Sequence, residues 1–168
     1  RAYVKFNEGL SYGNEIEFKT HSDSIPLTPI IGNYTANGQS YFQGNQTWNV
    51  TIASDKMDLS KVWINNLVNE SHSIYGIVNE NRTEIWLPID QEVAYNSVIF
   101  PKILLKGYYP DTVTIIPSGG YITCKIGSNG DITILDEYGI QAFRDIAKTI
   151  PAGWFNIFKT GVTLKKRT

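Results

Sequence analysis

The 168-residue sequence contains few of the residues from which enzymes usually build a reaction centre, with one cysteine and two histidines. The single cysteine, Cys124, excludes a disulfide within the chain and a metal site made of several cysteines. Histidine is the commonest general base and metal ligand, and here only His21 and His72 are present. The spacing of His21 and Asp23 suits chelation, but two ligands do not make a site. We therefore expect no metal and no cofactor.

The sequence also lacks an excess of either charge and any long apolar run. Its 15 Lys and Arg residues balance 16 Asp and Glu residues, so we expect no general attraction to nucleic acid or to an acidic membrane. No segment approaches the ~20 consecutive apolar residues that cross a bilayer. The length fits one domain, residues 1–168, with a core of its own. We predict a single domain with neither nucleic acid nor membrane as partner.

Motifs for common enzyme classes are missing as well. No serine lies in a G-x-S-x-G elbow, and no glycine-rich phosphate loop is present. Carboxylates occur in near pairs, which are Glu15 with Glu17, Asp55 with Asp58, and Glu80 with Glu84. A glycoside hydrolase needs two carboxylates that face each other across a cleft, and proximity in sequence does not establish this. We expect no enzymatic activity and keep a glycoside hydrolase as the less favoured alternative.

Short segments with a period of two fill most of the chain. In TWNVTIA, the residues Trp48, Val50 and Ile52 fall on one face, as in a strand with one buried side. NEIEFKT, KVWINNL, SIYGIV and TEIWLPI repeat this pattern between polar turns, and DTVTIIPSGG predicts a further apolar strand. Units of roughly 8 to 12 residues per strand and turn are typical of sandwiches, jelly rolls and barrels. We predict an all-β fold like a β-sandwich or jelly roll.

The segment ITCKIGSNGDITI predicts a β-hairpin with a defined register. A two-residue Asn-Gly turn would set apolar residues opposite polar ones. A three-residue Ser-Asn-Gly loop, with Gly130 in the left-handed conformation, instead pairs Ile126 with Ile132 and Cys124 with Ile134. We predict this register, because all the apolar residues then share one face. It also makes Cys124 a small buried hydrophobe.

Two segments depart from this rhythm. Residues 22–46 are rich in Gly, Pro and Asn and show no sustained period, which predicts a long loop interrupted by short β pieces. In DEYGIQAFRDIAKTIP, the residues Ile140, Phe143 and Ile146 recur at helical spacing. With Asp136 as its cap and Pro151 after its end, this pattern predicts one short helix near residues 137–148. The tail around residue 161 predicts a last strand that closes the sheet.

Aromatic residues suggest a binding surface. The sequence is 12% aromatic, with ten tyrosines and four tryptophans, and sugar-binding proteins use such rings as flat apolar platforms with polar rims. Trp63 shares a predicted polar face with Asn65, and Trp86 shares one with Glu84. We predict a carbohydrate site at these four residues. A protein interface or second core is the alternative reading of both tryptophans.

Five N-x-[S/T] sequons are present, at Asn33, Asn45, Asn49, Asn69 and Asn81. They are the acceptor pattern for N-glycosylation of a secreted or viral surface protein. A chain rich in Asn, Ser and Thr also produces such triplets by chance, and two of these lie close enough for glycans to crowd. We favour an unglycosylated microbial or phage product over a glycoprotein.

The segment Leu104–Leu135 contains GYYP, a polar loop, a strand, a turn with Asn-Gly, and another strand. In this order it resembles the end of head domains in tail-fibre and baseplate receptor-binding proteins of phages that infect Gram-positive bacteria. The closing IPAGWFNIFKTGVTL resembles the last strands of such heads. The resemblance implies a homotrimeric β head on the virion, outside the cell, that binds cell-wall saccharide without catalysis and gains avidity from three copies.

Together these features lead to one expected function and its rivals. We expect a non-enzymatic host-recognition domain of a phage tail or baseplate that binds cell-surface carbohydrate through Trp63, Asn65, Glu84 and Trp86. A structural or protein-binding module of a virion or adhesin is the main alternative. In that alternative, the two tryptophans lie in a protein interface and bind no saccharide.

Overall fold

The computed structural model describes residues 3–6, 9–12, 27, 29–93, 99–110 and 114–167, the first two segments by their backbone only. In these segments it contains thirteen strands and no helix. The strands are β1 Tyr3–Phe6, β2 Gly9–Tyr12, β3 Gly32–Ser40, β4 Gly44–Ser54, β5 Lys61–Asn65, β6 Ser73–Val78, β7 Glu84–Pro88, β8 Lys102–Tyr108, β9 Tyr121–Ile126, β10 Ile132–Ile134, β11 Glu137–Phe143, β12 Pro151–Phe158 and β13 Thr163–Lys166. No helix among the described residues is long and apolar enough to cross a membrane.

Eight of these strands form a closed antiparallel barrel. Their order is β13, β10, β9, β7, β6, β5, β4 and β3, and β13 pairs with β3 as well as with β10. The predicted all-β class is confirmed. The predicted sandwich or jelly roll would have two packed sheets. The eight strands instead form one closed sheet, because β13 pairs with both β10 and β3. The prediction that this strand closes the sheet is also confirmed.

Alternation along each strand sends apolar side chains into the barrel and polar ones outward. Trp48, Val50 and Ile52 on β4 are at most 5% exposed, as predicted. At one end of the barrel, the buried hydroxyl of Tyr34 donates hydrogen bonds to the carbonyls of Ile30, at 2.8 Å, and Gly130, at 3.2 Å. The turns around residues 55–60, 79–83 and 127–130 surround this end.

Three further strands cover the opposite end of the barrel. β12 joins β3 through Phe158, and β11 and β8 follow outward. Phe158 stacks between Trp48 of the barrel, at 4.6 Å, and Tyr138 of β11, at 5.5 Å. The hydroxyl of Tyr138 donates to the carbonyl of Leu67 at 3.0 Å. The core is therefore continuous from the barrel into this three-stranded layer.

The β9–β10 hairpin has the predicted register. Ile126 lies opposite Ile132, and Cys124 lies opposite Ile134. The amide of Gly127 donates to the carbonyl of residue 131 at 2.8 Å, which leaves a loop of residues 128–130. Gly130 has φ of 82°, so its left-handed conformation is confirmed.

The predicted helix near residues 137–148 is wrong. Residues 137–143 form β11, which is paired on both edges, and Pro151 begins β12 instead of following a helix. Gly139 lies so close to the β12 backbone that a Cβ atom there would clash with the carbonyl of Asn156. Ile140 and Phe143 are apolar because β11 is buried on both faces, whereas Ile146 lies beyond the strand and is exposed. The helical spacing is therefore a coincidence. Asp136 caps nothing and instead accepts a hydrogen bond from the amide of Thr123 at 2.7 Å.

The predicted loop over residues 22–46 contains the nine-residue strand β3. Small inward residues hid its alternation, because Gly38 leaves space for Trp48 and a Cβ atom there would lie 2.6 Å from Val162. Of the predicted strand DTVTIIPSGG, residues 111–113 lie outside the described residues and Ile115 makes only an isolated bridge with Tyr108. The predicted strand at NEIEFKT and the residues His21 and Asp23 lie outside the described residues.

A side-chain amide completes the sheet where a proline interrupts it. The register of β6 and β7 would set Pro88 opposite Tyr75, but proline has no N–H to donate. The Gln91 amide group takes its place. It accepts from the Tyr75 amide at 2.8 Å and donates to the carbonyls of Tyr75, at 2.9 Å, and Pro88, at 2.8 Å.

We expect Gln91→Ala to lower the free energy of unfolding by about 1–3 kcal/mol, because it leaves part-buried backbone groups without partners. Urea denaturation measures this change. Gln43→Ala is the matched control, since Gln43 lies in an exposed turn, and it should change stability by less than about 0.5 kcal/mol. Equal midpoints for the two variants would contradict the role of Gln91.

Candidate functional site

The outer wall of β5, β6, β7 and β9 carries four aromatic side chains, which we call the aromatic face. They are Trp63, Tyr75, Trp86 and Tyr121. Trp63 lies directly opposite Tyr75, and Trp86 lies opposite Ile77 on the same side of the sheet. Side chains alternate along strands, so these four aromatic side chains project from the wall that faces away from the apolar barrel interior.

Trp63 is held in place from several sides. Its indole Nε1 donates to Asp55 Oδ2 at 2.7 Å, and Tyr75 meets it edge-on with ring centroids 5.9 Å apart. The Lys61 ammonium lies 4.5 Å from the Trp63 ring centroid and 4.6 Å from that of Tyr75. These are cation–π distances. One face of the Trp63 ring is therefore covered by a cation.

Asp55 belongs to the turn between β4 and β5. The amide of Met57, and after it the indole N–H of Trp63, hold the pKa of this carboxyl below its ordinary value. Hydrogen bonds to a carboxylate favour its charged form. Asp55 therefore stays ionised and orients Trp63. The neighbouring Asp58 accepts hydrogen bonds from the amide and hydroxyl of Ser60, so both members of this carboxylate pair serve the turn.

Trp86, the second predicted tryptophan, is half-buried like Trp63. Its Nε1 donates to Glu84 Oε2 at 2.9 Å, and the ring lies at a tilt against Tyr121 with centroids 5.2 Å apart. It borders an open depression of about 440 Å³ together with Ser60, Ile77 and the turn residues 79–81. At the rim of the depression this turn offers Glu80 and Asn81, because the Asn79 side chain is hydrogen-bonded to Thr83 and Glu84.

All four predicted site residues lie on the same outer wall, but they do not form one cluster. Glu84 contacts Trp86, as predicted from their spacing. Trp63 and Asn65 lie on β5, which is two strand spacings, about 10 Å, from β7. Asn65 Oδ1 accepts from the hydroxyl of Ser73 at 2.5 Å.

The other two members of the aromatic face, Tyr75 and Tyr121, were not predicted from the sequence. Tyr75 alternates with the buried Ile74, and Tyr121 alternates with the buried Ile122. The same period of two that identified Trp63 and Trp86 therefore contained the signal for both tyrosines.

The described residues offer little for acid–base or metal chemistry. Glu80 is exposed in a turn, Glu84 is bound to an indole, and Glu15 and Glu17 lie outside the described residues. Burial raises the pKa of the Cys124 thiol far above its ordinary value, and its buried position confirms the prediction for this residue. Within the described segments, no three His, Cys, Asp or Glu side chains lie close enough together to hold a metal ion.

Comparison with known proteins supplies no function for the aromatic face. No protein-family model, curated protein or solved structure matches the chain. What this face binds has to be inferred from its own side chains.

The carboxyl group of Asp136, which lies between β10 and β11, has a raised pKa. Asp136 is 6% exposed, and burial raises its pKa above the ordinary 3.8. The unfolded chain therefore releases this proton at lower pH than the folded chain does. As pH rises from 3.8 through the folded pKa, ionised Asp136 makes a growing unfavourable contribution to stability.

We expect Asp136→Asn to be more stable than the natural protein at pH 7, because asparagine keeps the oxygen that accepts from Thr123 and carries no charge. The advantage should shrink as pH falls toward 3.8. Urea midpoints at pH 7 and pH 4 measure it. Asp131→Asn is the control of opposite sign, since Lys165 lowers the pKa of Asp131. A pH-independent difference for Asp136→Asn would contradict the raised pKa.

Proposed function

We propose that this chain is a non-enzymatic carbohydrate-binding domain and that Trp86 with its depression is the centre of the site. The observation that carries the proposal is a half-exposed indole beside an open, polar-rimmed depression. Sugar rings present apolar C–H faces that stack on aromatic rings and hydroxyl groups that bond to a polar rim. Trp86 offers the ring, and Asn81 and Glu80 offer amide and carboxylate groups.

The geometry around Trp86 favours binding with a small entropic cost. Its N–H is bonded to Glu84, and Tyr121 supports the ring from one side. A ring held in its bound orientation before the ligand arrives loses little freedom on binding. Trp63, whose ring lies under the Lys61 ammonium, then serves as a secondary contact.

The resemblance of Leu104–Leu135 to phage receptor-binding heads suggests the biological setting. In this setting the chain is the host-recognition domain of a tail or baseplate protein on the virion, and the saccharide belongs to a Gram-positive cell wall. A homotrimer would present three copies of the site, and tethered weak contacts multiply into strong attachment.

A structural or protein-binding role is the second candidate. The observation in its favour is the covered ring of Trp63, which with Tyr75 and the half-buried Ile77 forms an aromatic patch of the composition found in protein interfaces. If this patch joins copies of the chain, Trp63→Ala should change the oligomeric state measured by light scattering during size-exclusion chromatography.

We expect fluorescently labelled protein to bind Gram-positive cells selectively by strain, and to bind their purified wall polysaccharides. Trp86→Ala should weaken this binding about five- to tenfold, because stacking on an aromatic ring contributes on the order of 1 kcal/mol. The double variant Trp63→Ala, Trp86→Ala should abolish it. Titration calorimetry on the purified polysaccharide measures each affinity.

Trp154→Ala is the matched control, because Trp154 is also a half-exposed tryptophan but lies on β12. Circular dichroism and urea midpoints establish that each variant is folded. Unchanged affinity in folded Trp86→Ala would overturn the site. Absence of binding by the natural protein to every wall polysaccharide would overturn carbohydrate recognition and favour the protein-binding candidate.

A further inference from the structure

The outer face of the β3–β4 hairpin is polar but carries no charge. Residues 24–54 contain no Asp, Glu, Lys or Arg, although such residues make up 18% of the chain. Asn and Thr alternate along the outward positions of both strands, and they lie opposite one another in three pairs. We call these pairs the Asn–Thr ladder; they are Asn33 with Thr51, Thr35 with Asn49, and Asn37 with Thr47.

Hydrogen bonds fix the side chains of two of the three ladder pairs, Asn37 with Thr47 and Asn33 with Thr51. The hydroxyl of Thr47 donates to Asn37 Oδ1 at 2.8 Å, and that of Thr51 donates to Asn33 Oδ1 at 3.1 Å. Each bond uses the hydroxyl hydrogen and the amide oxygen. The amide N–H groups and the hydroxyl lone pairs are the remaining hydrogen-bonding groups of each pair. The ladder is thus an ordered row of donors and acceptors on a rigid sheet.

The ladder also accounts for sequons on this hairpin. Alternation of Asn and Thr at every second position produces N-x-T triplets, as at Asn33 and Asn49. These two triplets lie antiparallel and opposite each other, so that each asparagine faces the threonine of the other. Cross-strand pairing is sufficient to explain these triplets, without any attached glycan.

The ladder is continuous with the aromatic face. Asn33, Thr51, Asn65 and Ser73 form one cross-strand row from β3 to β6. The hydroxyl of Ser73 donates to Asn65 Oδ1, repeating the hydroxyl-to-amide bond of the ladder. Asn65 lies two residues from Trp63 on the same side of β5. From β3 to β6 the row spans three strand spacings, about 14 Å.

We propose, building on the carbohydrate binding proposed above, that the Asn–Thr ladder binds an uncharged polysaccharide whose chain continues onto the aromatic face. The ladder itself has no Lys or Arg. Beside it, Lys165 of β13 lies opposite Thr35 but is bound to Asp131 at 2.8 Å. Arg167 follows β13 next to Asn33. Polyphosphates are held by several cations, so this surface favours a neutral ligand over nucleic acid and teichoic acid. The ladder lacks the aromatic residues and arginines typical of protein interfaces. Fixed uncharged donors and acceptors instead suit the hydroxyl and ring oxygens of neutral sugars, and their prior order lowers the cost of binding.

The test uses wall polysaccharide from a Gram-positive strain, stripped of teichoic acid, and its hydrolysis fragments of graded length. The double variant Thr47→Val, Thr51→Val removes both hydroxyls and keeps the β-branched shape. We expect it to bind the long polysaccharide about tenfold more weakly and to bind the shortest fragments as the natural protein does. Thr133→Val on β10 is the control and should leave both affinities unchanged.

The two proposals fail in different ways. If the folded double variant binds long chains as tightly as the natural protein while Trp86→Ala does not, the ladder is overturned and the aromatic site stands. If the double variant loses long-chain affinity while Trp86→Ala keeps it, the ladder stands and the aromatic site is overturned. If the natural protein binds teichoic acid tightly and the double variant does not, the proposal that the ligand is uncharged is overturned. No binding of any polysaccharide by the natural protein would overturn both.

Discussion

Pairing of β13 with both β3 and β10 is the interaction on which the rest of the structure depends. Four residues of β13 pair with β3 and two pair with β10, so the sheet has no free edge in the ring. A closed ring fixes which side of every strand faces inward. The outward positions of β3 to β9 are therefore fixed as well. Both proposed binding surfaces are consequences of this closure, although none of their residues lies on β13.

The alternation that fills the barrel also made much of the molecule predictable from sequence. Where apolar residues were large, as at Val62 and Ile64, the inward face could be assigned and the outward Trp63 followed from it. The β9–β10 register was predictable for the same reason, since only one loop length keeps Cys124 and Ile134 on a common face. Prediction therefore succeeded wherever burial of one face determined the orientation of the other.

Prediction failed where burial did not follow a simple alternation. β11 is buried on both sides, so its apolar residues show no period of two and matched a helical spacing by coincidence. In β3 the inward Gly38 provides space for the indole of Trp48, a residue ten positions away. No local pattern contains that information, because the requirement comes from a neighbouring strand. The order in which the strands pair around the barrel was unpredictable for a similar reason, since it depends on pairing between distant segments.

The site was predicted only in part, because sequence spacing gives the face of a residue but not its partners. Glu84 and Trp86 were predicted to share a face from their two-residue spacing, and the two side chains are hydrogen-bonded. The carboxylate that orients Trp63 comes instead from Asp55, in a turn eight residues away. Nothing in the strand pattern of β5 indicates this contact, which depends on how the β4–β5 turn folds back.

The carboxylate partner of Trp63 has a consequence for how the proposed binding depends on pH. The pKa of Asp55 is lowered chiefly by the amide of Met57, which belongs to the same turn and does not depend on any ligand. Asp55 therefore stays ionised, and keeps Trp63 oriented, down to pH values below its ordinary pKa of 3.8. The Asn–Thr ladder contains no group that titrates near neutral pH. If this surface binds the uncharged ligand proposed above, the contribution of Asp55, Trp63 and the ladder should change little between neutral and mildly acidic pH.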